Sequence, residues 1–245
     1  MKSIDRRTFL AGVGTTLGAL TLAACGSDSN TATSGTSTDA EQSETSESTE
    51  ATESAESTES TEEAGQVVNG VLVTPYDEGY SSGIHHATIE VEDFGTIKVE
   101  MNATNAPITV SNFCHLANEG FYDGLTFHRI IKDFMVQGGD PEGNGTGGSE
   151  PKILGEFSDN GVTNAIQHKR GVISMARSSD PNSGSSQFFI MHADTDSLDG
   201  QYAAFGRVTE GIEVVDALAE TPVEDSNGTV APENQPRSAK ITIDD

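Results

Sequence analysis

Six histidines, two cysteines and one glycine-rich run are the residues from which this 245-residue chain could build chemistry. Gly143-Asn144-Gly145-Thr146-Gly147-Gly148 carries the letters of G-x-G-x-x-G, the loop that cradles a pyrophosphate at a helix start. No helical pattern follows it, and no basic residue occurs before Lys152, so a dinucleotide site is rejected. No serine sits in a G-x-S-x-G elbow, and Asp and His occur without a local signature that singles out a triad. The histidines, including the adjacent His85 and His86, lack i, i+4 spacing with a carboxylate, which leaves a metal site without a basis. Cys114 has no flanking Lys or Arg to depress its pKa and is expected in the core. Nucleophilic and metal-assisted hydrolysis are both weakly supported, and no cofactor is implied. With 13 Lys and Arg against 39 Asp and Glu, the net charge of −26 argues against a phosphate-binding surface, so no DNA or RNA partner is expected.

The elements that must position any site begin at His86. Ile89 and Val91 alternate onto one face, and after Asp93-Phe94-Gly95 the set Ile97, Val99 and Met101 does the same, which predicts an antiparallel hairpin. Pro107 then opens a helix whose apolar residues Val110, Phe113, Cys114 and Ala117 recur at i, i+3, i+4 and i+7 before Gly120 closes it. Short β-like runs follow at 127–131, 171–175, 188–191, 203–208 and 239–243, with one more helix near 210–219 that turns Ile212, Val215 and Leu218 or Ala219 inward. The fold class is mainly β, and many short strands with two helices predict a closed antiparallel barrel with helical caps.

The N-terminal quarter has a different character. Lys2, Arg6 and Arg7 precede an apolar stretch from Leu10 to Ala24, the n-region and h-region of an export signal and too short to span a bilayer. Leu22-Ala23-Ala24-Cys25 resembles the lipobox of bacterial lipoproteins, which implies diacylation of Cys25 and cleavage just before it. The Arg6-Arg7-Thr8-Phe9-Leu10 run also resembles a twin-arginine signal, although paired arginines occur in Sec signals too. With Cys25 lipidated, no intramolecular disulfide is available and the fold stands on its core. From Cys25 to about Gly65 the chain is Ser, Thr, Glu and Ala without aromatic or basic residues, so it cannot bury enough surface to fold. Glutamates recur every third residue from Glu41 to Glu62, which makes this a self-repelling tether reaching roughly 35 Å as a flexible coil.

Three stretches of the folded part resemble cyclophilins. They are Phe127-His128-Arg129-Ile130-Ile131-Lys132-Asp133-Phe134-Met135-Val136-Gln137-Gly138-Gly139-Asp140, then Gly171 through Ala176, then Ser186-Gln187-Phe188-Phe189-Ile190. Leu198-Asp199-Gly200 followed by Phe205-Gly206 keeps the family's order, and Gly155-Glu156-Phe157 matches its segment after the Gly-rich loop. The resemblance covers roughly 86–245 and implies an eight-stranded antiparallel barrel capped by two helices, preceded here by the signal (1–24), the lipidated disordered tether (25–65) and an N-terminal extension (66–85). It further implies a peptidyl-prolyl cis-trans isomerase, with Arg129, Phe134 and Gln137 as catalytic residues and Met135, Ala176, Phe189, Leu198 and Tyr202 as the substrate-binding ones. This sequence has Ser197 where the family usually carries Trp or another aromatic, and Tyr202 where many members carry His. The expected partners are proline-containing unfolded or exported polypeptides and, through the lipid at Cys25, the outer face of the cell membrane. A monomer is expected.

The absence of a triad is consistent with that reaction. Rotation about an X-Pro bond needs no proton transfer and no covalent intermediate, since the barrier, with an activation energy of about 20 kcal/mol, comes from lost amide resonance. The proline nitrogen regains a lone pair in the twisted state, and a guanidinium placed to donate to it stabilises that state over either planar one. A module that merely held proline-containing peptides needs the apolar ring but not the guanidinium. The residues from 66 onward hold 10 basic and 27 acidic groups, a balance of −17, so basic clients are favoured on encounter.

Overall fold

The computed structural model describes residues 63–245. The export segment, Cys25 and the tether up to residue 62 lie outside the described residues. The described chain opens with a minimal hairpin, β1 (Val67–Val68) and β2 (Val71–Leu72), turned by Asn69-Gly70 with both φ angles positive, at 53° and 81°. Asn and Gly are the residues that accept this left-handed pair at least cost. Leu72 is fully buried, so the extension over 66–85 is packed into the core rather than left as a free arm.

The predicted hairpin is present as β3 (Ile84–Val91) and β4 (Gly95–Asn102), paired Ile89 to Ile97 and Ala87 to Val99. Its alternating face, from Ile89 to Met101, is buried throughout. Helix α1 (Pro107–Asn118) starts with Pro at its first turn and buries Val110, Phe113, Cys114 and Ala117. Gly120, at φ 69°, ends it: its N–H donates to Ala117 O at 3.0 Å, and Phe121 N–H donates to Leu116 O at 2.9 Å, the paired bonds of a Schellman motif. At the other end the buried carboxylate of Glu156 accepts from Ile108 N (2.9 Å), Thr109 N (2.8 Å) and Thr109 Oγ1 (2.6 Å), serving as a cap supplied from a distant loop.

The remaining elements are β5 (Arg129–Ile131), β6 (Met135–Gly138), β7 (Lys152–Ile153), β8 (Val172–Met175), β9 (Phe188–Met191), β10 (Ala204–Glu210), α2 (Ile212–Leu218) and β11 (Ser238–Ile243). Strand β7 pairs in parallel with β2 and joins the N-terminal hairpin in a three-stranded sheet. The other strands form one antiparallel sheet ordered β11-β3-β4-β10-β8-β9-β6-β5. Helix α1 packs against β4, β7 and β11, and α2 against β4.

The expected closed barrel is corrected here to an open half-barrel. Edge strands β5 and β11 share no ladder and meet only near the Thr126–Arg237 bridge, with Phe127 N–H donating to Pro236 O at 2.8 Å. Pro236 offers no donor in return. The free edge of β5 is already taken by a later loop, since Ile130 N–H donates to Gly228 O at 2.8 Å and Arg129 bridges Thr229. The sheet buries both faces along β9. Phe188 and Ile190 enter the main core, where Phe113 packs on Tyr122, Phe188 and Phe205 at centroid distances of 5.1–5.5 Å. Phe189 and Met191 point the other way, into a second apolar cluster.

Candidate active site

That second cluster holds the predicted pocket. Met135, Val172, Phe189, Met191 and Ala204 are buried in it, and Phe134, Ala176, Leu198 and Tyr202 pack against it half-buried. Strand register explains the assembly, because Arg129 faces Gln137, Gln137 faces Phe189, Phe189 faces Ser174 and Ser174 faces Ala204. Cross-strand partners share a face, so one row across five strands sets a guanidinium, an amide and an aromatic ring side by side. Tyr202 meets Phe189 edge-on at 5.8 Å, and Phe134 closes the cluster from the β5–β6 turn, where Asp133 takes φ 61°.

Arg129 is held from two sides. Its Nε donates to Asn227 O at 2.9 Å, its Nη1 donates to Gln137 Oε1 at 3.2 Å, and Nη1 lies 3.9 Å from Met135 Sδ. Partial burial lowers its pKa from the ordinary arginine value, against the opposing pull of Tyr202 and Asp225, but a guanidinium stays charged at neutral pH. Gln137 Nε2 in turn donates to Gln187 Oε1 at 2.9 Å, and Gln187 Nε2 donates to Gly147 O at 2.8 Å. The chain from Arg129 through both glutamines to a backbone carbonyl fixes the orientation of each amide.

The Gly-rich loop is accounted for by that last contact. Two of its backbone donors, Asn144 N (3.0 Å) and Gly145 N, turn inward onto the Asp140 carboxylate, which also accepts from Glu142 N (2.9 Å), and these two are unavailable to a phosphate. A Cβ on Gly147 would collide with Asp140 Oδ1, so glycine is required beside the carboxylate. Cys114 is buried, and desolvation pushes its thiol up to about 12. Among the described residues no cluster of His, Cys, Asp and Glu is placed to hold a metal ion, and no helix is long and apolar enough to cross a membrane.

All eight predicted positions therefore meet at one place, Arg129 and Gln137 at the rim of the cluster and the other six in it. Sequence reasoning missed four neighbours: Gln187, Arg177, Asn227 and His168. Fully buried, His168 lies 3.0 Å from both Asp199 Oδ1 and Ser174 Oγ, and stacks on Phe189 at 6.1 Å. Gln187 lies inside a quoted motif, yet alternation alone marks it as a solvent-facing position. Asn227 acts through its carbonyl, which leaves no signal in a side chain.

A family model described as "Cyclophilin type peptidyl-prolyl cis-trans isomerase/CLD" matches residues 86–243. The chain is 46% identical over 131 residues to peptidyl-prolyl cis-trans isomerase-like 1 of Neurospora crassa, covering 53% of this chain and 78% of that one. It is 43% identical over 143 residues to a peptidyl-prolyl cis-trans isomerase of Helicobacter pylori, covering 58% and 84%. The crystal structure of a Cryptosporidium parvum cyclophilin type isomerase superposes with a TM-score of 0.59 at 29% identity, over 66% of this chain and 99% of that one. Motif, strand register and likeness agree, and the chain belongs to the cyclophilin-type peptidyl-prolyl cis-trans isomerases.

Proposed function

We propose that this isomerase acts on exported or surface polypeptides from the outer face of the cell membrane, with Arg129 stabilising the twisted X-Pro bond. The observation that carries the mechanism is the guanidinium fixed by Gln137 and the Asn227 carbonyl beside the apolar cluster. Phe134, Met135, Phe189 and Leu198 anchor the pyrrolidine ring while the preceding carbonyl turns. Arg129 then donates to the nitrogen as its lone pair returns, a contact stronger in the transition state than in either planar state. Burial of the apolar groups lowers the dielectric around that contact and strengthens it. A related structure, the Cryptosporidium parvum isomerase in the presence of the dipeptide Ala-Pro (TM-score 0.57, 32% identity), supports a proline-sized occupant.

Exported context is supported by the N-terminal sequence: the basic and apolar signal, the lipobox-like Leu22-Ala23-Ala24-Cys25 and the acidic tether that lifts the isomerase off the membrane. A prolyl-isomerisation assay on the purified chain tests the catalytic half directly. Turnover of an X-Pro peptide well above the uncatalysed rate is expected, and a folded chain without turnover overturns the mechanism.

A further inference from the structure

Phe134 reaches the apolar cluster from the short turn between β5 and β6. Phe134 N–H donates to Ile131 O at 3.0 Å to close that turn, and its third residue, Asp133, takes φ 61°, a place that glycine or asparagine usually fills. Aspartate keeps this conformation where its surroundings hold it. The hold comes from His192, the first residue after β9. Its backbone N–H donates to Phe134 O at 2.9 Å, Ala193 N–H reaches the same oxygen at 3.3 Å, and Asp133 N–H donates to Nδ1 of the His192 ring at 2.9 Å.

These partners also decide where the imidazole carries its hydrogen. A nitrogen that accepts from an N–H is bare, so the neutral ring holds its proton at Nε2. Nε2 lies 3.3 Å from Asp216 Oδ1 on α2, the acceptor this tautomer needs. Asp216 is itself held, since Arg170 Nη2 donates to its Oδ2 at 2.8 Å while Arg170 Nη1 donates to His192 O at 2.8 Å. With a side chain only 12% exposed, His192 has little room to turn its ring away. One imidazole thus ties α2 to the turn, and the same residue ties the turn to β9, the strand that carries Phe189.

We infer that His192 is a positioning residue of the isomerase: by accepting from Asp133 N–H and donating to Phe134 O, it sets where the Phe134 ring stands relative to Phe189 across the proline pocket. The inference rests on the isomerase reading above. A turn at the sheet edge that was free to drift would change the gap between those two rings, and a misplacement on the order of 1 Å is costly in a site that must hold its substrate in one geometry. His192 acts only through Phe134.

Two amide variants of the full chain, assayed on one X-Pro peptide at neutral pH, separate positioning from a general loss of packing. His192→Asn sets an amide oxygen near the place of Nδ1 and keeps the acceptor for Asp133 N–H, whereas His192→Gln carries its amide out to the level of Nε2, toward Asp216, and leaves that N–H unserved. The Asn variant should stay within about twofold of wild type in kcat/KM, and the Gln variant should fall about three- to tenfold, the worth of one hydrogen bond. The loss should lie in KM with kcat nearly unchanged, because Phe134 grips the pyrrolidine in the planar and twisted states alike. Equal kcat/KM in all three proteins, or an equal loss in both variants, overturns the positioning role and leaves the isomerase reading standing. If the Gln variant fails to fold, the nitrogen NMR spectrum of histidine-labelled wild type decides: a bare Nδ1 and a protonated Nε2 at His192 support the role, and a proton on Nδ1 overturns it. A folded wild-type chain that turns over no X-Pro peptide overturns the isomerase reading, and the positioning role with it.

Discussion

At the scale of single residues, a guanidinium supplies a planar fork of donors that a point charge does not. Arg129 presents Nε to a backbone carbonyl and Nη1 to Gln137, and a planar fork can meet both while still facing the groove. Arg129→Ala should lower kcat/KM about a hundredfold, equivalent to about 3 kcal/mol of transition-state stabilisation, and Arg129→Lys should fall between the two because charge returns without the fork. Both variants should keep the wild-type circular dichroism, since Arg129 is half-buried at a sheet edge rather than in the core. A folded Arg129→Ala enzyme as fast as wild type sinks the proposed role. Arg129, Phe134 and Gln137 were legible because a long contiguous motif carries them. Arg177, His168 and Asn227 were not: they reach the site through a cation over a ring, a stacked imidazole and a main-chain carbonyl, and none of these has a spacing in sequence.

Elements differ in how far the sequence announces them. The β3–β4 hairpin and α1 follow from alternation and from the i, i+3, i+4 pattern, because each has one buried face. Strand β9 buries both faces, so its run of apolar residues gave a strand without telling which side chains line the pocket and which fill the core. Strands β1, β2 and β7 are two residues each, below what any periodicity can show, although Asn69-Gly70 was a turn signal in plain view. The Glu156 cap on α1 was hidden because its partners lie 47 and 48 residues away. Replacing Glu156 by Gln turns an NH2 toward backbone donors that now meet a carboxylate, which should cost about 1–3 kcal/mol of stability. Urea titration should show the lower midpoint, while kcat/KM at temperatures far below unfolding stays near wild type because α1 contributes nothing to the apolar pocket. An unchanged midpoint would remove the cap from the account.

At the scale of the whole molecule, the sheet stays open where the sequence predicts closure, because strand number is readable from sequence while the pairing of edges is not. The 225–230 loop occupies the edge of β5 that a closed barrel requires, and nothing in its composition announces that. We propose export on the sequence of residues 1–25, and mass spectrometry of the protein from cells should find Cys25 as the first residue with added acyl mass; an intact Met1 or an unmodified Cys25 overturns it. The acidic balance has its own consequence for pH. Lowering pH from 7 toward 5 protonates some surface carboxylates and relieves self-repulsion, which by itself stabilises the fold. Two histidines act in the opposite sense. Burial lowers the pKa of His168, against the pull of Asp199, and burial together with Arg129 lowers that of His128, against Asp140. A histidine whose pKa falls on folding binds its proton more readily in the unfolded chain, so its stability contribution is complete above the ordinary value of about 6.5 and is lost as pH falls below it. The two trends are separated by His168→Gln, which keeps an amide near Ser174 and Asp199 but carries no titrating group. Unfolding free energies measured in urea from pH 7.5 to 5 should fall more steeply for wild type than for the variant, with the curves diverging below pH 6.5. Wild-type isomerase activity should hold where stability first falls, because the folded enzyme keeps His168 neutral against the Phe189 ring until pH reaches its own lowered pKa. Parallel stability curves for the two proteins would show that His168 does not couple the fold to pH.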